Sequence, residues 1–160
     1  MYARDTALIA TPIGGIRIEG DGYAIDRIRI EPLTVGEIDP STAVLREATE
    51  QLLEWFAGTR TLFNLPLSPA ATPRGQALRD GMVAIKYAET MSYGELARHM
   101  ESGSRAIGQA CARNPFPIVV PCHRVLGAGD TLGHYSGGDG LPTKIWLLEH
   151  ERRHAGSTLL

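Results

Sequence analysis

The chain has 160 residues, 43% of them hydrophobic, which suffices for a buried core in one domain or two small ones, and no run approaches the roughly 20 apolar residues that span a bilayer. The start, MYARDTALIA, lacks the basic start and long apolar run of a signal peptide, and two cysteines, Cys111 and Cys122, cannot build a disulfide framework; no membrane association and a cytoplasmic location are expected. The net charge of -2 hides an asymmetry, six Lys/Arg against ten Asp/Glu in residues 1–71 and ten against eight in residues 72–160, so a polyanion should meet the second half.

In chain order, GGIRIEG and YAIDRIRIE alternate apolar and polar residues around Gly20, Asp21 and Gly22, which predicts a hairpin of half-buried strands. Asp39 and Pro40 read as the N-cap and first residue of a helix whose Leu45, Ala48, Leu52, Trp55 and Phe56 share a face and which Gly58 stops. The segment NLPLSPAATP holds three prolines in ten residues, an extended connector, and a domain boundary is placed there, with residues 1–71 before it and 72–160 after.

Thr72 and Pro73 open a further helix, although Gly75 and Gly81 inside it each cost about 1 kcal/mol relative to Ala. Ser92 and Glu95 fit a capping box, predicting a short helix to about Met100. A second short helix is expected over Ser104 to Arg113, ended by Asn114 and Pro115, so the pair outlines a helix-turn-helix. The last helix should cover Thr143 to about Arg153, with Ile145, Trp146 and Leu148 packing and the Leu147-Leu148 pair in the core.

The stretch NPFPIVVPCHRV reads as an apolar, strand-like run that ends at Pro121 and delivers Cys122, His123 and Arg124. Thiolate is the nucleophilic form of cysteine, and a neighbouring base or positive charge lowers the thiol pKa enough to populate it near neutral pH. Adjacent residues of a strand point to opposite faces, so contact between Cys122 and His123 requires a turn. Cys111, in the helical segment AIGQACAR, reads as an inert core thiol. The spacing of Cys111, Cys122, His123 and His134 matches no common zinc pattern, so neither metal nor cofactor is expected.

PCHRV, with SYGELA, SRAIG and RNPFPIVV before it and GHYSGG and KIWLLEHE after it, resembles the O6-alkylguanine-DNA alkyltransferases, the methylated-DNA–protein-cysteine methyltransferases. The resemblance is strong over residues 89–151; the hairpin, LLEWFAGTR and FNLPL match in outline. It implies an α+β fold, a ribonuclease-H-like sheet-and-helix domain followed by a winged-helix domain that contains the site. It also implies a monomer that binds double-stranded DNA through the minor groove and repairs O6-alkylguanine in a single turnover.

In that reading Cys122 is the alkyl acceptor, His123 deprotonates it through a water, and Glu151 orients and charges the imidazole. Asn114 braces the turn and Arg124 supports the local structure near the bound base. Tyr93 helps to rotate the nucleotide out and offers its hydroxyl to guanine N3, the backbone at Cys122 and Val125 reads the exocyclic amine, Ser136 donates toward O6, and Lys144 adds positive field. Pro117 and Tyr135 wall the alkyl group, while Arg105 fills the gap left by the everted base. The same family resemblance leaves room for a damage sensor without chemistry, against which Cys122 stands, and for an altered alkyl substrate. Two segments depart from the family pattern: TPRGQALRDGMVAIKYAET lacks the usual aromatic-Gln and Trp, and the loop from Gly138 to Lys144 is longer.

Overall fold

Strand pairing begins earlier than the alternating pattern suggests. In the computed structural model, which describes residues 3–156, β1 (Asp5–Thr11), β2 (Gly14–Gly20) and β3 (Ile25–Glu31) form an antiparallel sheet in the order β1-β2-β3. The β2-β3 hairpin is the one expected, whereas β1 is an addition. Its Ala7, Leu8 and Ile9 are buried in succession, so it carries no period of two to read. Ile16 pairs with Ile9 and Ile30, and Ile18 with Ala7 and Ile28, which stacks one apolar face. On the other face Arg17 meets Glu31 at 2.9 Å and Arg29 meets Glu19 at 3.2 Å. At the turn, a side chain on Gly20 would lie 2.3 Å from the Ala24 carbonyl oxygen, so only glycine fits.

Helix α1 (Ala43–Ala57) covers β1 and β2 and buries Leu45, Ala48, Leu52 and Trp55. It ends on Gly58 at φ 82, as expected, but it begins after Thr42 and not at Asp39. The reason lies far away in sequence. The Asp5 carboxylate accepts the backbone N–H groups of Ser41 at 3.0 Å and Thr42 at 2.7 Å, while the Thr42 hydroxyl accepts from Leu45 and caps the helix. Burial pushes the Asp5 carboxyl up, yet its bonds to Thr42 and Ser41 outweigh that and hold it well below the usual carboxylate range.

The unfolded chain therefore binds this proton more readily, and the stabilisation is complete above the ordinary carboxylate pKa and fades as pH falls below about 4. Asp5→Ala is expected to cost about 2 kcal/mol at neutral pH, from lost charge-assisted bonds. Urea midpoints of variant and parent should converge in acid.

The described chain divides into two compact units, one ending at Ser68 and the other beginning at Pro69, inside the proline-rich connector. In the second unit α2 (Pro73–Val83) starts on Thr72 and runs unbroken through Gly75 and Gly81. A side chain at Gly81 would meet the Met100 sulfur at 2.5 Å, so the helix gains a close contact for the propensity it loses. Ser92 and Glu95 close the capping box of α3 (Tyr93–His99), and α4 (Ser104–Ala112) follows after a turn in which Glu101 takes φ 51. β4 (Met91–Ser92) lies parallel to β5 (Val125–Leu126), which ties the start of α3 to the segment after Arg124.

The final helix, α5 (Leu141–Ala155), begins two residues before Thr143, and its buried stripe differs from the apolar one expected. Thr143, Lys144, Leu147, His150 and Glu151 face inward, while Ile145 is exposed and Trp146 and Leu148 are half-buried. Lys144 and Glu151 stand seven residues apart, two turns along one face. Among the described residues no helix is long and apolar enough to cross a membrane.

Candidate active site

Between α4 and β5 the chain forms successive turns and no strand, which corrects the strand-like reading of residues 114–121. The prolines at 115, 117 and 121 remove the donors a sheet needs. Asn114 replaces the ladder: its Nδ2 donates to the Val120 carbonyl at 2.8 Å and its Oδ1 accepts from Phe116 N–H at 2.9 Å. Ile118 is held at φ 74, a strained conformation for a β-branched residue, and the Arg79 guanidinium lies 5.0 Å from the Phe116 ring centroid. A single 3₁₀ turn over Cys122–Arg124 follows, and it provides the turn that contact between neighbouring side chains requires.

The Cys122 sulfur accepts a hydrogen bond from Asn114 Nδ2 at 3.1 Å, so Asn114 braces the turn and also touches the sulfur. Burial pushes the Cys122 thiol up, and the Asn114 bond and the Lys144 charge reverse only part of that. The resting group is a thiol. Burial of the sulfur exceeds the pull of these two neighbours, which favours the thiol over the thiolate.

The next residue in the chain carries an imidazole. His123 is fully buried, and its Nε2 lies 2.9 Å from Glu151 Oε2. Burial lowers the imidazole pKa more than the Glu151 bond raises it, so His123 is neutral near pH 7. With Nε2–H given to the carboxylate, Nδ1 carries the basic lone pair. Glu151 is itself multiply satisfied. It accepts from Arg124 Nε at 3.0 Å, from Arg124 Nη2 at 2.7 Å and from the Ala88 N–H at 3.2 Å, the last from a residue at φ 64. Burial opposes its charge, but His123 and Arg124 outweigh burial and hold it at about 2.

Arg124 also donates to the Ile85 carbonyl at 2.6 Å and is 6% exposed, so its fork is engaged inside the protein. Lys144 is fully buried, and its ammonium is held by the carbonyls of Val125 at 2.7 Å, Leu132 and His134 at 3.2 Å. It pins the segment after Arg124 as well as supplying charge.

Tyr93, Cys122, Tyr135 and Ser136 line one cavity of about 20 Å³, room for one water. Val125 and Pro117 are buried away from that wall, and Arg105 is exposed near the start of α4. The cavity also takes Gly108, Cys111, Ala112 and His134, which the sequence reading did not place there. The spacing of Gly108, Cys111 and Ala112, i, i+3 and i+4, was the available signal, since such residues share a helix face. Cys111 is buried, as expected, with its thiol pushed up to about 12 by burial, and its sulfur lies 3.6 Å from that of Met82. Burial also raises the Tyr93 phenol, against which the His134 N–H lies, and Gly133, at φ 71, lets the Tyr93 ring approach within 3.0 Å of where a side chain would be.

Residues 75–153 match the family described as 6-O-methylguanine DNA methyltransferase, DNA binding domain. The chain is 37% identical over 156 residues to the methylated-DNA–protein-cysteine methyltransferase of Mycobacterium leprae, covering 93% of each chain. It is 44% identical over 113 residues to the constitutive enzyme of Bacillus subtilis, covering 69% of this chain and 68% of that one. Among solved structures it is similar to the O6-methylguanine methyltransferase of Mycobacterium tuberculosis, with TM-score 0.80 and 33% identity over 95% of this chain and 94% of that one. A DNA complex of the M. tuberculosis protein OGT gives TM-score 0.79 and 35% identity over 92% of each.

Proposed function

The chain belongs to the methylated-DNA–protein-cysteine methyltransferases, and from that premise we propose that Cys122 is the acceptor sulfur, consumed by the group it takes from O6 of a guanine turned out of double-stranded DNA. The protein is a DNA repair methyltransferase that moves an alkyl group from DNA onto a cysteine. The observation that carries the assignment to Cys122 is its setting: a buried sulfur bonded to Asn114, next in the chain to a neutral imidazole held by an ionised carboxylate.

In the step itself the thiol proton passes through a water to His123, the sulfur electron pair forms the S–C bond, and the C–O6 pair withdraws into the purine. Glu151 then faces an imidazolium, the charge it is best placed to stabilise. Tyr93 offers its hydroxyl to N3 as negative charge spreads over the leaving guanine. Ser136 donates toward O6 and Tyr135 bounds the alkyl group, while Pro117 and the Val125 backbone, buried outside the lining of the resting cavity, meet the alkyl group and the exocyclic amine once the cavity opens to admit the base. Lys144 contributes field, and both it and Arg124 keep the nucleophile's turn in place. Among the described residues no group stands ready to cleave the thioether product, and each molecule acts once.

The outward face of α4 carries Arg105 and Gln109, and its C-cap is the exposed Arg113. We assign this face to the minor groove, with Arg105 entering the stack, so affinity should fall as salt rises and depend little on sequence. A purine exceeds the present cavity, and it enters as the irregular segment around Gly133 and Ser136 gives way. The site draws only on the second unit of one chain, consistent with a monomer, and two free thiols suit a cytoplasmic location.

Incubation with a duplex containing one O6-methylguanine should raise the intact mass once, by about 14 Da, the replacement of a thiol proton by methyl. Trypsin cuts after Arg105, Arg113 and Arg124 and so separates the two cysteines. The added mass belongs on the Asn114 to Arg124 peptide. Its appearance on the Ala106 to Arg113 peptide, or no gain at all, overturns the assignment.

A further inference from the structure

The cavity beside Cys122 contains one polar group for which neither the fold nor the reaction as described has a use. Tyr135 is 5% exposed, it lines the same cavity as the sulfur, and its hydroxyl is buried with no hydrogen-bond partner among the described residues. Burial of an unmet hydroxyl is costly, and phenylalanine would make the same apolar wall without the penalty. Tyr93, on the same wall, has the His134 N–H against its oxygen, so among the described residues of this wall the tyrosine hydroxyl without a partner is that of Tyr135.

We propose that the Tyr135 hydroxyl is the donor that receives the negative charge of the Cys122 sulfur, left without an acceptor while the sulfur is a thiol and bonded to it when His123 takes the proton. This rests on Cys122 being the nucleophile. Asn114 already donates to the sulfur, and a thiolate accepts more strongly than a thiol, so a further donor in the cavity becomes favourable when charge appears. Burial first, and the neighbouring Cys122 sulfur second, hold the Tyr135 phenol well above its ordinary value, so it keeps its proton when the thiol loses one. With no protein acceptor among the described residues, the hydroxyl is free to turn toward the sulfur when charge appears. No bond to Tyr135 is made or broken; it turns its proton toward the sulfur and releases it once the thioether forms.

The test follows the Cys122 titration without DNA, by the ¹³Cβ resonance of cysteine-labelled protein, alongside the rate of methyl transfer from an O6-methylguanine duplex. Tyr135→Phe should raise the Cys122 midpoint by roughly one unit and slow transfer about tenfold near neutral pH, with the rate recovering as pH rises. It should also melt at a higher temperature than the parent, which a purely structural role for the hydroxyl would not produce. Placing 3-fluorotyrosine at position 135, a stronger donor of nearly the same shape, should move the midpoint the opposite way. The other ionisable groups around the sulfur, His123, Lys144 on α5, Cys111 on α4, Tyr93 on α3 and His134, are unchanged in both proteins. An unmoved Cys122 midpoint in Tyr135→Phe overturns the proposal. Failure of the parent to gain methyl mass would sink the acceptor role of Cys122 instead, and the resonance would still decide the hydroxyl's part.

Discussion

Glu151→Gln is expected to destabilise the protein by about 3–5 kcal/mol, the range for removing one partner of a buried ion pair, and to abolish most of its transfer activity. The carboxylate serves two buried side chains at once, His123 through Oε2 and Arg124 through both oxygens. An amide of the same shape cannot accept at both positions, since one of its ends is a donor that would face a donor. Arg124 would remain charged and buried, and His123 would lose the acceptor that fixes its tautomer. Against a typical total of 5–15 kcal/mol this is a large fraction of stability. Urea unfolding reads it directly, and pairing the change with Arg124→Met should recover part of the loss, because the stranded charge is then gone.

The pH dependence has a definite sign. Glu151 is held below its ordinary value in the fold, so its contribution is complete above the carboxylate range and disappears as pH falls toward 2. His123 is also lowered, so its neutral form favours the folded state above the ordinary imidazole range and its protonation opposes folding below it. Both groups make the parent acid-labile. Glu151→Gln removes only the carboxylate's share, so its stability profile should be flatter than the parent's below about pH 4, while the His123 share persists at higher pH. A parent and variant with parallel profiles would mean that this carboxylate does not carry the pair.

Cys122→Ser is expected to leave no detectable methyl transfer while DNA binding persists. An alcohol is far harder to ionise than a thiol, and a site in which burial already raises the thiol pKa leaves serine protonated even beside His123. The fold should tolerate the change within about 1 kcal/mol, because Asn114 Nδ2 can donate to the serine oxygen as it does to the sulfur. The variant should hold an O6-methylguanine duplex without consuming it, giving a stable complex in a gel-shift assay and an unchanged intact mass. If mass still increased by about 14 Da, the acceptor would lie elsewhere, and Cys111, on the same cavity wall, would be the first position to map.

Features set by neighbours a few residues apart were legible in the sequence: the Ser92-Glu95 capping box, the Thr72 cap of α2, the Gly58 stop of α1, the β2-β3 hairpin and the PCHRV motif. Each closes hydrogen bonds or places a turn locally, so the residues that decide it stand next to it. Only the tertiary structure decided the rest. Asp5, some 36 residues away, captures the Ser41 N–H and moves the start of α1. The stretch from Asn114 to Pro121 reads as apolar, but its prolines and the Asn114 amide make it turns. α5 buries Lys144 and Glu151 because backbone carbonyls and Arg124 wait for them, and no periodicity reveals where a distant partner will stand. The thiol's resting state follows the same rule. His123 and Arg124 adjoin Cys122 in sequence, but both are turned to Glu151, and the depth at which the fold places the sulfur determines that its proton stays on until a base removes it.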